Sequence, residues 1–353
     1  MTIGATSCTL AGSYDDLPTS NFYLFIDDEI VKVGTRSGAS CTSITRETWG
    51  TTAEAHDDET RVQLGWAQEN VAVSDWWKNA QTEGGLDASS IGYSDAQTEE
   101  GYLHDGWQLS SIVRPTDVDK LIKSLNQGVG SYTFWSPTEG LTKWRAIRPR
   151  HPDETVTTIT DRKDLLGREL TPKPVESRRY TRVFVYFGVK DWSKSLSDFD
   201  RDEPNFSRIE AYINTGAETS DRHGDEKTLE IFAWMVPATA TAKMSAMAYR
   251  ILSRHVDAPR RVTIKLEEAV AASLIKAEIS NLTSPEFIDE HGDTQETEVI
   301  VLSRNPGKNA SIEWKFDVEE TNFDSRWGLW APDDTADQDS EYHAQYASAD
   351  GTL

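Results

Sequence analysis

Ile26-Asp27-Asp28-Glu29-Ile30-Val31-Lys32-Val33 leads, after a short polar run, into Thr45-Arg46-Glu47-Thr48-Trp49-Gly50-Thr51-Thr52-Ala53-Glu54-Ala55-His56. Just upstream, Phe22, Leu24 and Ile26 alternate with Tyr23 and Phe25, so a strand here is apolar on both faces. Asp27-Asp28 is polar and turn-compatible, and Glu29 to Val33 returns as the second arm of a hairpin. Ser37-Gly38 marks the next turn, and Cys41 to Thr45 reads as a third short strand. Gly50 lets the chain turn sharply, and Thr51 and Thr52 can hydrogen-bond local backbone. His56 closes this turn. Its ring could serve as a ligand, but the simpler expectation is that it holds the turn by bonding backbone.

Working outward, 353 residues correspond to two domains or three small ones. A hydrophobic fraction of 37% and twelve Trp supply cores and argue against general disorder. No run approaches the ~18 apolar residues of a membrane span. Met1-Thr2-Ile3-Gly4-Ala5-Thr6-Ser7-Cys8 has no positive region and no long apolar core, so a secretory leader is not expected. The formal charge of −23 opposes sequence-specific nucleic-acid binding and acidic lipid. It is compatible with solubility, a salty habitat, or a pore through which DNA slides without sticking. Cys8 and Cys41 both fall in the first β-rich segment. They could pair across neighbouring strands, although two free thiols are the commoner case for a chain made in a cytoplasm.

The pattern divides the chain into an all-β module over 1–65, an α+β block over 66–175, a mainly β block with one helix over 176–331, and an acidic tail over 332–353. Residues 66–105 read as polar and irregular, with a short helix over 73–79 whose Trp76-Trp77 belong to a core or an interface. Residues 116–127 read as a helix, with Thr116 as N-cap and Val118, Leu121, Ile122 and Leu125 on one stripe. Strand–turn–strand follows over 131–147. Residues 159–174 look like a connector. Strands are expected over 178–187, 208–213, 228–236, 261–266, 298–302 and 310–318, and a helix over 239–255. The tail reads as a segment that orders only against a partner.

Candidate chemistry is thin. Asp198-Phe199-Asp200-Arg201-Asp202 has the alternating acids of a calcium loop, but Glu203 and Ile209 stand where an EF-hand needs Gly and Glu. His104-Asp105 and His223, between Asp221 and Asp225, lack a nucleophile context. No His-Glu-x-x-His, Walker loop or dinucleotide fingerprint is present, and among 59 acids a glycosidase-like carboxylate pair carries no signal. The expectation is a non-enzymatic chain without cofactor or metal. Trp327 and Trp330 could stack on sugar, but core or subunit-interface packing is the commoner use of such a pair.

The N-terminal residues resemble a pattern that recurs in tail proteins of long-tailed bacteriophages: D-x-E-x-hydrophobic, then R-G-x-x-G-T-x-A-x-x-H. The chain keeps Asp27, Glu29, Val31, Arg46, Gly50, Thr51, Ala53 and His56. It has Glu47 where the pattern has Gly, and it lacks the Gly that usually follows the His. Tyr180-Thr181-Arg182-Val183, Ala248-Tyr249-Arg250-Ile251-Leu252, Pro259-Arg260-Arg261-Val262 and Val299-Ile300-Val301-Leu302 resemble the baseplate hub, or tail-tip hub, proteins of those phages. The resemblance implies an α+β, mainly β fold, in which β-barrel-like hub domains flank a small α+β domain. It also implies a homotrimer at the virion tail tip, made in the host cytoplasm. This threefold ring would close the tail tube, adapt a sixfold tail to a threefold spike or fibre, and pass DNA. Implied partners are the distal tail protein ring, the tape-measure protein end, and a central fibre or spike protein. Two other readings remain: a receptor-binding fibre protein that grips glycans, and a tail-associated cell-wall hydrolase.

Overall fold

The computed structural model describes the chain except residues 13, 151–153, 162, 167–169, 200–202, 220–223, 273, 275, 289–293, 307–312, 322–327, 331–344 and 348–353. The fold is α+β and mainly β.

The first sheet contains β1 (Ser7–Thr9), β2 (Ser20–Ile26), β3 (Glu29–Ser37), β4 (Ser40–Thr45), β5 (Val62–Val71) and β6 (Leu109–Val113), in the order β1-β4-β3-β2-β5-β6. Every pairing in it is antiparallel. Ile26 pairs with Glu29, so Asp27 and Asp28 form a two-residue hairpin turn. Asp27 takes a positive φ there, which a short polar side chain tolerates. The doubly apolar reading of β2 has a direct cause, because the strand lies between two cores. Phe22, Leu24 and Ile26 join Val31, Val33, Cys41 and Ile44 on one side. Tyr23 and Phe25 join the large central core on the other.

That central core is built by α1 (Val73–Glu83), α2 (Tyr93–Leu103), α3 (Val118–Val129) and the hairpin of β7 (Ser131–Ser136) with β8 (Leu141–Ala146). Residues 66–105 are therefore not irregular; they carry the end of β5 and two full helices. α2 escaped the periodicity reading because it buries only Ala96 and Glu99. In α1, Trp76 and Trp77 are wholly buried, and their indole N–H groups donate to Ser111 Oγ and Thr133 Oγ1 at 2.8 and 3.1 Å. α3 starts two residues later than expected, with Asp117 at its cap position.

Next come β9 (Thr157–Thr160), β10 (Lys173–Pro174), β11 (Arg182–Val189), the short α4 (Leu196–Phe199), β12 (Phe206–Ile213), β13 (Thr228–Ala233), α5 (Thr241–His255), β14 (Arg260–Glu267), the short α6 (Glu268–Ala271), β15 (Ile279–Ile288), β16 (Thr294–Pro306) and β17 (Glu313–Glu320). β11 is the centre of a three-stranded sheet, antiparallel to β12 and parallel to β13. Its buried Val183, Val185 and Phe187 belong to the central core. The last large sheet runs β10-β14-β17-β16-β15-β9 over a separate core that includes Ile159, Ile264, Leu282, Phe287, Val301 and Phe316.

Two expectations are corrected here. Residues 159–174 are more than a connector, since β9 and β10 supply both outer strands of the last sheet. Among the described residues no sheet closes into a barrel; this one ends on β9 at one side and β10 at the other. β5 also carries the first sheet across position 65. At the C-terminal end, β18 (Gly328–Trp330) pairs with β19 (Gln345–Ala347), and most of 332–353 lies outside the described residues.

Candidate functional site

Glu29, the first residue of β3, is 1% exposed and organises the most connected polar cluster of the first sheet. Burying a carboxylate is tolerated only when charge and hydrogen bonds replace the lost water. Arg46 Nε donates to Glu29 Oε1 at 2.8 Å, and Arg46 Nη2 donates to Oε2. His56 Nε2 lies 2.8 Å from the same Oε2, and the Glu54 backbone N–H donates to it at 3.3 Å. Burial alone would raise the Glu29 pKa. The hydrogen bonds from Arg46, His56 and the Glu54 amide outweigh it and hold the carboxyl below its ordinary 4.5. The Arg46 pKa is raised in turn, mainly by its bond to Glu29.

The cluster ties together segments far apart in sequence. Arg46 also donates to the carbonyls of Thr2, Ile3 and Glu54. His56 Nδ1 lies 3.0 Å from Asp27 Oδ2, at the hairpin turn. The His56 ring therefore meets two carboxylates, not backbone as expected; its backbone N–H instead donates to the Met1 carbonyl at 2.9 Å. Thr51 Oγ1 accepts from the Ile30 N–H at 3.1 Å and donates to the Thr48 carbonyl at 2.8 Å, while Thr48 Oγ1 returns a bond to the Ile30 carbonyl. Arg114, which the sequence reading did not single out, donates to the Asp27 carbonyl and lies over the Phe25 ring.

Gly50 is one point where this module meets the rest of the chain. Its φ is +74°, and a Cβ there would stand 1.9 Å from the Lys190 carbonyl oxygen. The close approach seats Trp49 edge-on against Trp192 at 5.1 Å, with Tyr23 on its other side. Trp192 continues the row to Phe199 and Trp234, which stack at 5.4 Å. Glu47 occupies a left-handed conformation at φ 56°, as does Trp49. The position where the tail-protein pattern carries Gly is thus one where the backbone favours Gly.

The structure brings Asp27, Glu29, Arg46 and His56 into one network, with Thr51 clamping Ile30 beside it and Gly50 at its edge. Trp327 lies outside the described residues, and Trp330 is described only as part of β18. The remaining chemical candidates do not assemble. His104 Nε2 donates to the Val129 carbonyl at 2.8 Å, and its ring packs between Trp107 and Trp144. Complete burial and the nearby Arg250 push its pKa down to about 3, so it is a neutral core residue. Asp198 Oδ2 accepts from the Ser195 amide and hydroxyl at the start of α4, while Asp200, Asp202 and His223 lie outside the described residues. Among the described residues no group of His, Cys, Asp and Glu is arranged to hold a metal ion.

A second charged cluster had no sequence signal, because its centre, Glu99, is 46 and 49 residues from Arg145 and Arg148. Arg148 is 6% exposed and bonds both Glu99 and Glu154, Arg145 bonds Glu99, and the Arg148 guanidinium covers the Tyr102 ring. Glu99, Arg145, Arg148 and Glu154 line a cavity of about 300 Å³, together with Glu278, Ile279, Ile300 and Thr321.

No protein-family model and no curated protein matches the chain. Solved structures similar to it include the virion of a native gene transfer agent particle, at 11% identity and TM-score 0.42, over 72% of this chain and 47% of that one. A tail protein from Neisseria meningitidis MC58 is similar at 11% identity and TM-score 0.43, over 85% of this chain and 90% of that one. The prophage MuSo2 43 kDa tail protein from Shewanella oneidensis is similar at 8% identity and TM-score 0.36, over 90% and 91%. The chain thus spans about half the length of the first and most of the other two.

Proposed function

We propose that this chain is a structural subunit of a phage tail tip, a baseplate hub protein that works through contact surfaces without catalysis. The observation that carries the reading is the convergence of the pattern residues. Asp27, Glu29, Arg46 and His56, separated by up to 29 positions, form one network around the buried Glu29, Thr51 clamps the neighbouring Ile30, and Gly50 packs against the Lys190 backbone. The Glu29 carboxylate is spent on Arg46, His56 and the Glu54 amide, so the cluster reads as a fastening for the module. In this reading three copies form a ring that closes the tail tube. The ring seats against the distal tail protein and the tape-measure end on one side and carries a central fibre or spike on the other. An acidic lumen, drawn from the net charge of −23, lets DNA slide through.

Mass measurement of the purified chain and imaging of intact tails test this. A trimer located at the tail tip is the expected result. A monomer absent from virions, one that clears purified cell wall or binds glycans as an isolated chain, overturns it.

A further inference from the structure

β1 is a three-residue edge strand, and its middle residue, Cys8, stands directly opposite Cys41 of β4. Directly opposed residues of an antiparallel pair point to the same face, with Cα atoms about 4.5 to 5.5 Å apart. A disulfide needs Cα atoms about 4.4 to 6.8 Å apart. The strand register alone therefore brings the two side chains to bonding reach. Both thiols are free. Cys41 is fully buried in the outer core of the module, and Cys8 is half-buried beside it.

We propose that Cys8 and Cys41 form a redox-closable staple that fastens the N-terminal strand to the module. This inference is independent of the tail reading. β1 follows the segment whose carbonyls, at Met1, Thr2 and Ile3, receive the His56 amide and Arg46. The staple would hold one end of the segment while the Glu29 lock holds the other. Closure proceeds by exchange with a small-molecule disulfide. Cys8, the more exposed thiol, attacks it as the thiolate and releases one small thiol. Cys41 then attacks Cys8 Sγ, and the second small thiol leaves. The protein loses two hydrogens, and the oxidant becomes two thiols. Burial first, and then Cys41, push the Cys8 pKa up to about 11, so the thiolate is scarce at neutral pH. Closure is thus slow at pH 7 and accelerates about tenfold per pH unit up to pH 9, in proportion to the thiolate fraction. The bond would enclose a loop of over thirty residues, which shifts the unfolding equilibrium by a few hundredfold in the chain-entropy picture.

The test incubates the full chain with glutathione disulfide across pH 7 to 9, followed by peptide mass mapping and thermal melting. The expected results are a Cys8–Cys41 crosslink, loss of two hydrogens from the intact mass, and a higher melting point that dithiothreitol reverses. Cys8→Ser and Cys41→Ser should each abolish the rise while leaving the reduced melting point within a few degrees. A glutathione adduct on Cys8 that never resolves, dimers joined between chains, no reaction at pH 9, or a rise that persists in Cys8→Ser would each overturn the proposal.

Discussion

Replacing Arg46 with Ala removes the chief counter-charge of a carboxylate that is 1% exposed, while Arg46 itself is 8% exposed. Breaking a buried ion pair from one side costs about 3 to 5 kcal/mol, because the remaining charge is left in a poor solvent. Some of that is offset here, since Glu29 keeps His56 Nε2 and the Glu54 amide. A loss of about 3 kcal/mol is expected, a large share of the ~5 to 15 kcal/mol that holds a domain. Hydrogen exchange read by mass spectrometry on β3 peptides measures it locally, and urea unfolding measures it globally. The double variant Glu29→Gln/Arg46→Ala should cost less than the two single variants summed, because the buried charge is gone. Acid gives an independent check. Glu29 is held below its ordinary 4.5, so its contribution is complete above that pH and is lost as pH falls through the lowered value. The gap between the wild type and Arg46→Ala should therefore close below pH 4.5. A loss under about 1 kcal/mol, strictly additive single variants, or a gap that widens in acid would refute the argument.

Two further expectations concern strain and buried histidine. Glu47→Gly relieves a left-handed non-glycine residue, worth about 1 to 2 kcal/mol, against about 0.5 to 1 kcal/mol of added chain entropy. A gain of roughly 0.5 to 1 kcal/mol in urea unfolding is expected, and a loss would show that the Glu47 side chain matters more than its backbone. His104 stays neutral in the fold, with its pKa pushed to about 3, so below pH 6.5 the unfolded chain takes up the proton first. Stability then falls with acid by about 1.4 kcal/mol per pH unit from this residue. His255, also pushed to about 3 chiefly by burial, adds a second such slope. His104→Gln should make the decline between pH 6 and 4 shallower by about one histidine's worth, and an unchanged slope would sink the assignment.

The local grammar of the chain is legible wherever one segment speaks for itself. The Asp27-Asp28 turn, the two-faced β2, the apolar stripe of α3 and the central β11 all follow from residue order, because strand and helix periods are local geometry. Reading fails where a segment's role depends on distant neighbours. α2 shows no stripe, since its helix is held by Glu99 bonding Arg145 and Arg148 more than by apolar burial. β9 and β10 look like connector because short polar segments become strands only when β15 and β14 offer them free edges. The barrel-like shape implied by the hub resemblance is, among the described residues, a sheet that ends on β9 and β10.

The candidate site divides along the same line. Asp27, Gly50, Thr51 and His56 stand out at turns by residue type, while Glu29 and Arg46 are marked only by the resemblance to the tail-protein pattern. Which groups they touch is another matter. That His56 bridges two carboxylates, that Arg46 collects the carbonyls of Thr2 and Ile3, and that Gly50 admits the Lys190 backbone depend on where remote segments come to rest. Sequence alone determined the periods, the turns and the sign of the charge, which are properties of neighbours along the chain. Tertiary structure decided burial and pairing, because the desolvation that makes Glu29 demand Arg46 exists only once the two cores have closed around β2 and β3.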